Sequence, residues 1–278
     1  MDPKMLIYAP VKLSIKRKID VANEILVAIA TGFFWKHGDN FYLITNWHNV
    51  TGWDQLNNRS MSPSAVQPTH IQMPLLLKSD ITFEGKSMAA RKRYDISLYN
   101  IDGMPAWLEH PVFGSQVDVV ALKIAQLDDS LVSRPINSLD DFVDFDPRVG
   151  DDVFVLGYPG GLDGGNELAI WKRGSIASQP LFNIDQLPKL LIDTAIRKGM
   201  SGSPVIARQT GIIVPKGTPR MTEGALSGSE IIGQADKFLG IYSGRIGDDE
   251  FGLQLGIVWK ASVLDEIVGG GQPGKSPH

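Results

Sequence analysis

The hydrophobic residues of this chain fall in short runs rich in valine, isoleucine and aromatic residues, and turn-forming residues close nearly every run. Residues 24–34, 41–46, 96–101, 118–124, 153–156, 190–194, 204–207, 238–242 and 253–258 read as strands, punctuated by 29 glycines and 17 prolines. No long helical periods alternate with these segments. The pattern therefore predicts an all-β fold, an antiparallel sandwich or barrel, rather than a parallel α/β sheet. One clear helix is expected at residues 260–268, with Leu264, Ile267 and Val268 on one face and the glycines at 269–271 stopping it. Residues 57–74, rich in Asn, Ser and Pro, and 210–234, rich in Gly, Thr and Ser, read as long surface loops. Residues 269–278 read as a flexible tail.

At 278 residues the chain can bury a full core without covalent staples. It has no cysteine, which excludes a disulfide scaffold and thiolate metal sites and points to a cytoplasmic setting. A formal net charge of −4 gives no basic surface for nucleic acid. No apolar run approaches the ~18 residues needed to cross a bilayer. The first 20 residues lack the continuous apolar stretch of a signal peptide. No two histidines stand at helical i, i+4 spacing, so no metal is expected, and no cofactor motif is complete.

One segment concentrates chemistry. Arg197-Lys198-Gly199-Met200-Ser201-Gly202-Ser203-Pro204 lies between two apolar strands. Glycines on either side of a serine let the backbone turn tightly and keep bulk away from the hydroxyl. They also leave the amides of Gly199 and Ser201 able to converge on one oxyanion. A serine hydroxyl needs a base within hydrogen-bond reach and a third group to orient that base. Of five histidines, His48 stands at the end of the strand Phe41-Tyr42-Leu43-Ile44-Thr45-Asn46-Trp47, where a cleft residue belongs. Two aspartates are candidates for the third group. Asp118 opens the apolar run Val119-Val120-Ala121-Leu122 and is preferred; Asp95 sits in Tyr94-Asp95-Ile96-Ser97, which alternates like a half-exposed strand.

Leu43-Ile44-Thr45-Asn46-Trp47-His48-Asn49-Val50, after Ala30-Thr31-Gly32-Phe33-Phe34, resembles the histidine motif of the trypsin-like serine peptidases, particularly their bacterial HtrA-like branch. Val153-Phe154-Val155-Leu156-Gly157-Tyr158-Pro159-Gly160, Lys172-Arg173-Gly174-Ser175-Ile176 and Asp193 to Pro204 are similar to further motifs of that family, in the same order. The resemblance implies a chymotrypsin-like fold of two six-stranded antiparallel β-barrels, at about 1–130 and 145–260, with the helix at 260–268, a tail at 269–278 and no PDZ module. It implies serine endopeptidase activity through His48, Asp118 and Ser201, with an acyl-enzyme intermediate and an oxyanion hole at Gly199 and Ser201. The substrate is then a protein or peptide, contacted by Ala195, Lys198, Ser243, Gly244 and Arg245. Ala195 stands where trypsin-type members place an acidic residue, so a medium-sized apolar side chain is expected at the primary pocket in place of Lys or Arg. Met200 stands where digestive members carry an aspartate, so activation by an ion pair with a freed N-terminus is not expected. The alternatives are a catalytically silent binding protein of the same fold and a protease that an unidentified partner activates.

Overall fold

The computed structural model describes residues 5–55, 57–62, 65–78, 82–83, 86–87, 90–124, 130–195, 198–218, 228–245 and 255–277. Its strands are β1 (Pro10–Lys18), β2 (Glu24–His37), β3 (Asn40–Thr45), β4 (Trp53–Asp54), β5 (Arg59–Ser60), β6 (His70–Leu76), β7 (Thr82–Phe83), β8 (Lys86–Ser87), β9 (Arg91–Ser97), β10 (Trp107–Glu109), β11 (Val120–Ile124), β12 (Asp152–Gly157), β13 (Ile170–Ile176), β14 (Lys189–Asp193), β15 (Pro204–Ile213), β16 (Ile231–Arg245), β17 (Leu255–Lys260) and β18 (Gln272–Pro273). Two α-helices join them, α1 (Trp47–Thr51) and α2 (Ser262–Gly270).

The all-β expectation holds, and the strands gather into two antiparallel assemblies. In the C-terminal half, β12-β13-β14-β17-β16-β15 close into a six-stranded barrel. The N-terminal half is an eight-stranded sheet in the order β18-β10-β11-β3-β2-β1-β6-β9. It exceeds the expected six by the short strands β10 and β18 at one edge. Beyond β9 the chain folds back on itself ahead of β10, where the Ala106 N–H donates to Leu98 O at 2.9 Å and Tyr99 bridges Pro105.

Alternation explains which strands face inward. In β1, Val11, Leu13 and Ile15 are buried while Lys12, Ser14 and Lys16 point outward, and in β6 Ile71, Met73 and Leu75 repeat the pattern. These side chains join Phe34, Leu43, Val120 and Leu122 in the N-terminal core. Val153, Val155, Leu190, Ile192 and Val205 fill the C-terminal barrel. A third cluster lies between the halves, where Phe33 and Ile44 meet Leu156, Ile206 and Ile241. The buried face of α2, Val263, Leu264, Ile267 and Val268, closes that cluster, and Gly271, in the left-handed region at φ 61°, caps the helix.

Several expectations need correction. Residues 57–74 contain the start of β6; Pro74 suggested a loop, yet the β1 ladder ends at Gln72, before the residue that lacks an N–H. Residues 210–234 are not simply a loop, because β15 and β16 remain paired out to Ile213↔Ile231, with Ile212 facing Ile232. Residues 219–227 of that segment, and residues 253–254 of the strand expected at 253–258, lie outside the described residues. The strand expected at 96–101 is displaced to β9, because the register with β6 begins at Leu76↔Arg91 and the chain turns at Asn100, whose N–H binds Met104 O.

The tail expected to be flexible at 269–278 is held along its described length. Its β18 pairs with β10, the Gly274 N–H donates to Trp107 O at 2.8 Å, and the Lys275 N–H reaches Glu109 Oε1 at 2.8 Å. A side chain at position 274 would meet the Trp107 indole at 2.2 Å, so only glycine lets the backbone lie on that ring. Deleting residues 272–278 is expected to remove about 2 kcal/mol and lower the calorimetric unfolding midpoint by roughly 4–8 °C, where loss of a free tail would leave it unchanged.

Candidate active site

The site lies where the two halves meet, and the chain reaches it from both sides. From the N-terminal half, β3 runs directly into the single turn of α1, which places His48 in that turn. The first N–H groups of a helix have no partner within it. The His48 N–H is one of them, and it donates to Asp118 Oδ1 at 2.9 Å. The other carboxylate oxygen, Oδ2, lies 2.6 Å from His48 Nδ1. Asp118 sits just ahead of β11, which pairs with β3 from Val120↔Thr45 onward, so the register of one ladder delivers both residues. Asn46 Nδ2 binds the Asp118 carbonyl at 2.6 Å and fixes the aspartate's backbone as well.

From the C-terminal half comes Ser243. The β16–β17 register slips between Tyr242 and Gly244, leaving Ser243 as the extra residue of a bulge. A bulge re-aims a side chain. Here the Ser243 hydroxyl donates to Asp118 Oδ2 at 2.6 Å, across the junction. Burial disfavours charge on the His48 imidazole, but the Asp118 charge and hydrogen bond outweigh it, with Asp54 adding, and the histidine pKa stands above its ordinary value of 6.5. With the Asp118 carboxylate accepting a hydrogen bond from Nδ1–H, the lone pair of the neutral ring is on Nε2.

Ser201 is stitched to both halves. Its carbonyl accepts the Thr31 N–H of β2 at 2.9 Å and the Asn49 Nδ2 of α1 at 3.4 Å. On the other side, the Gly202 N–H donates to Tyr242 O at 2.9 Å and the Tyr242 N–H to Ser203 O at 2.8 Å. Gly202, at φ 87°, has no room for a side chain: a Cβ would lie 1.9 Å from Thr31 O and 2.7 Å from Thr45 Oγ1. This close approach brings the nucleophile candidate to the helix that carries His48. Among the described residues, Ser201 Oγ makes no hydrogen bond, to His48 or any other group.

Gly199, at φ 94°, packs so tightly on the turn at Tyr158–Gly161 that a Cβ would lie 2.3 Å from Tyr158 O. The Lys198 carbonyl accepts the Gly160 N–H at 2.6 Å, so across the trans peptide the Gly199 N–H points away from that turn. No described residue takes the N–H of Gly199 or Ser201. The turn is itself anchored by Lys12, whose Nζ donates to Gly161 O at 2.5 Å.

The structure thus gathers His48, Asp118, Ser201 and Ser243 and places Gly199 beside them. Asp95 lies elsewhere, exposed on β9 and bonded to Gln72 Nε2 at 3.0 Å. Ala195 and Lys198 are exposed on the approach to Ser201, and Gly244 continues the bulge at φ 144°. Arg245 ends β16 opposite Gly256. Sequence reading did not single out Asn46, Asn49, Thr31 and Thr45, the polar residues that fix the junction. Their signal was polarity inside apolar strands: Asn46 and both threonines are almost wholly buried. Among the described residues, no group of histidine, aspartate and glutamate side chains is arranged to hold a metal ion.

A search of curated proteins returned no match. Similar solved structures include the Rv3671c protease from M. tuberculosis in its active form, at 17% identity over 97% of this chain and 83% of that one, with a TM-score of 0.47. The inactive form of that protease matches at 17% identity over 94% and 88%, with a TM-score of 0.46. The HtrA-type protease AlgW with a tripeptide matches at 13% identity over 95% of this chain and 60% of that one, with a TM-score of 0.46. Residues 30–214, well over half the sequence, match the trypsin-like peptidase domain, and the chain belongs to that family.

Proposed function

We propose that the chain is a serine endopeptidase in which Ser201 is the nucleophile, His48 the general base and Asp118 the group that orients the histidine. The observation that carries this reading is the pairing of both Asp118 oxygens with His48, Oδ1 to its main chain and Oδ2 to its ring. A carboxylate so placed fixes the tautomer in which Nε2 can accept a proton from a hydroxyl. Ser201 Oγ attacks the scissile carbonyl carbon and its proton passes to His48 Nε2. The tetrahedral oxyanion is received by the N–H groups of Gly199 and Ser201. As it collapses, the C–N bond breaks, the leaving amine takes the proton from His48, and an acyl group remains on Ser201. Water, deprotonated by the same histidine, then releases the acid. Ser243 supports Asp118 from the far side.

The substrate is a protein or peptide. An edge of β16 near Ser243 and Gly244 offers main-chain groups for an extended peptide. Ala195 brings no charge to the approach, which favours an apolar side chain of medium size. The second reading, a protease that a partner activates, is favoured by one observation: Ser201 Oγ has no hydrogen bond to His48 among the described residues. In a free enzyme such a bond commonly tightens only when substrate binds, so the first reading stands ahead.

Labelling with a fluorophosphonate probe, followed by peptide mapping, is expected to modify Ser201, and Ser201→Ala is expected to abolish labelling and reduce peptide turnover by about 10⁴–10⁶-fold. A folded protein that neither labels nor cleaves would sink the catalytic reading and leave the silent binding protein. Addition of a partner that restores labelling would identify the second.

A pH profile tests the role of Asp118. The base must be neutral to act, and Asp118 raises the His48 pKa, so kcat/KM is expected to climb with pH along an acidic limb whose midpoint lies above 6.5. Asp118→Asn removes the stabilising charge, which should move that midpoint down and cut kcat by about 10³–10⁴-fold. An unmoved midpoint would mean that another group titrates. The same sign governs stability. The His48–Asp118 pairing contributes fully below the unfolded histidine pKa, and that contribution fades as pH rises through the raised folded value.

A further inference from the structure

A cavity of about 520 Å³ opens at the end of the N-terminal sheet, walled by the segment after α1, the β10–β11 connection and the chain after α2. None of His48, Asp118, Ser201 or Ser243 lines it. Trp47, Trp53 and Phe113 supply aromatic walls, and among the described residues Glu109 is the one carboxylate that lines it.

Glu109 is only 4% exposed, a rare place for a carboxylate without a counter-ion. Its Oε1 accepts the Trp47 Nε1–H at 3.0 Å, the Trp107 Nε1–H at 3.0 Å and the Lys275 N–H at 2.8 Å. Oε2 turns toward Gly114, another residue of the cavity wall, where a Cβ would stand 3.9 Å away, and no described residue donates to it. Nor does any described Lys, Arg or His form an ion pair with Glu109. The neighbouring His110 is already committed. Its Nδ1 accepts the N–H groups of Val112 and Phe113, and its Nε2 faces Glu266 at 2.9 Å. Lys275 contributes its main-chain N–H and keeps its side chain exposed.

A carboxylate oxygen that no described residue donates to, facing a cavity of small-molecule size with aromatic residues in its wall, matches an organic cation. We propose that this cavity binds a small molecule with an ammonium or guanidinium head on a short aliphatic stem, the head paired with Glu109 Oε2 and the stem against Trp47, Trp53 and Phe113. The pairing is charge-assisted, and partial removal from water strengthens it. The site stands whether or not Ser201 is a nucleophile.

The test uses the full chain carrying Ser201→Ala, so that no self-digestion intervenes, with ¹⁵N-labelled indoles followed by NMR. n-Butylguanidinium is expected to shift the Trp47 and Trp53 indole signals saturably, and 1-butanol, its uncharged counterpart, is not. Glu109→Gln keeps an oxygen for the three N–H donors and removes the charge; it should weaken cation binding about tenfold or more. Should that variant fail to fold, Trp53→Leu leaves Glu109 and its donors in place and should weaken binding about three- to tenfold. Absence of a saturable shift with the cation, equal shifts with 1-butanol, or undiminished affinity in the folded variants would each overturn the proposal.

Discussion

The contact on which the site depends is the seating of Gly202 against Thr31. The backbone of the Ser201 segment approaches β2 so closely that a single methyl group would collide with a main-chain oxygen. Because it fits, the Thr31 N–H can take the Ser201 carbonyl while the Gly202 N–H takes Tyr242 O, and one short segment is bonded to both halves at once. The apolar cluster between the halves drives this approach, and the glycine sets its distance. Hydrogen bonds alone would not hold two sheets together, since each is worth only about 1 kcal/mol net. They fix the orientation of halves that the apolar burial brings together.

Asp118 shows how the seam shapes the candidate site. A carboxylate at 21% side-chain exposure has two oxygens to satisfy, and the structure draws on both halves to do it: His48 in the first and the bulged Ser243 in the second. The bulge costs β16 one ladder position and gains a donor that reaches across the junction to Asp118. Asn46 and Asn49 perform a comparable task on either side of His48, tying α1 to the Asp118 backbone and the Ser201 carbonyl. The helix is a single turn and could not hold a side chain in place by its own hydrogen bonds.

Much of this was legible in the sequence because it is local. The glycines around Ser201, the apolar run into His48 and the strand that follows Asp118 each announce their conformation within a few residues. What escaped was set by distant pairing. β1 was missed although Val11, Leu13 and Ile15 alternate correctly, because Lys12, Lys16, Arg17 and Lys18 dilute its apolar content. β6 was masked by Pro74 and by the Asn- and Ser-rich stretch before it. The outer part of the β15–β16 hairpin carries Gly211 opposite Gly233, which reads as turn; its strand character comes from the ladder on either side. The contact between Ser243 and Asp118 joins residues 125 positions apart, and no local pattern encodes it. The family resemblance supplied the order of the motifs, while the fastening of the tail by Trp107 and Glu109 became visible only in three dimensions.

The division of labour at the junction also bears on the life of the chain during synthesis. His48 and Asp118 are both complete in the first half, and Ser201 and Ser243 emerge only with the second. Beyond the final barrel strand, α2 caps the cluster between the halves. In a chain made from its N-terminus, His48 and Asp118 are therefore synthesised before the serines that the fold brings to them. The site needs residues of both halves, so the first half by itself lacks the arrangement on which the proposed hydrolysis would rest.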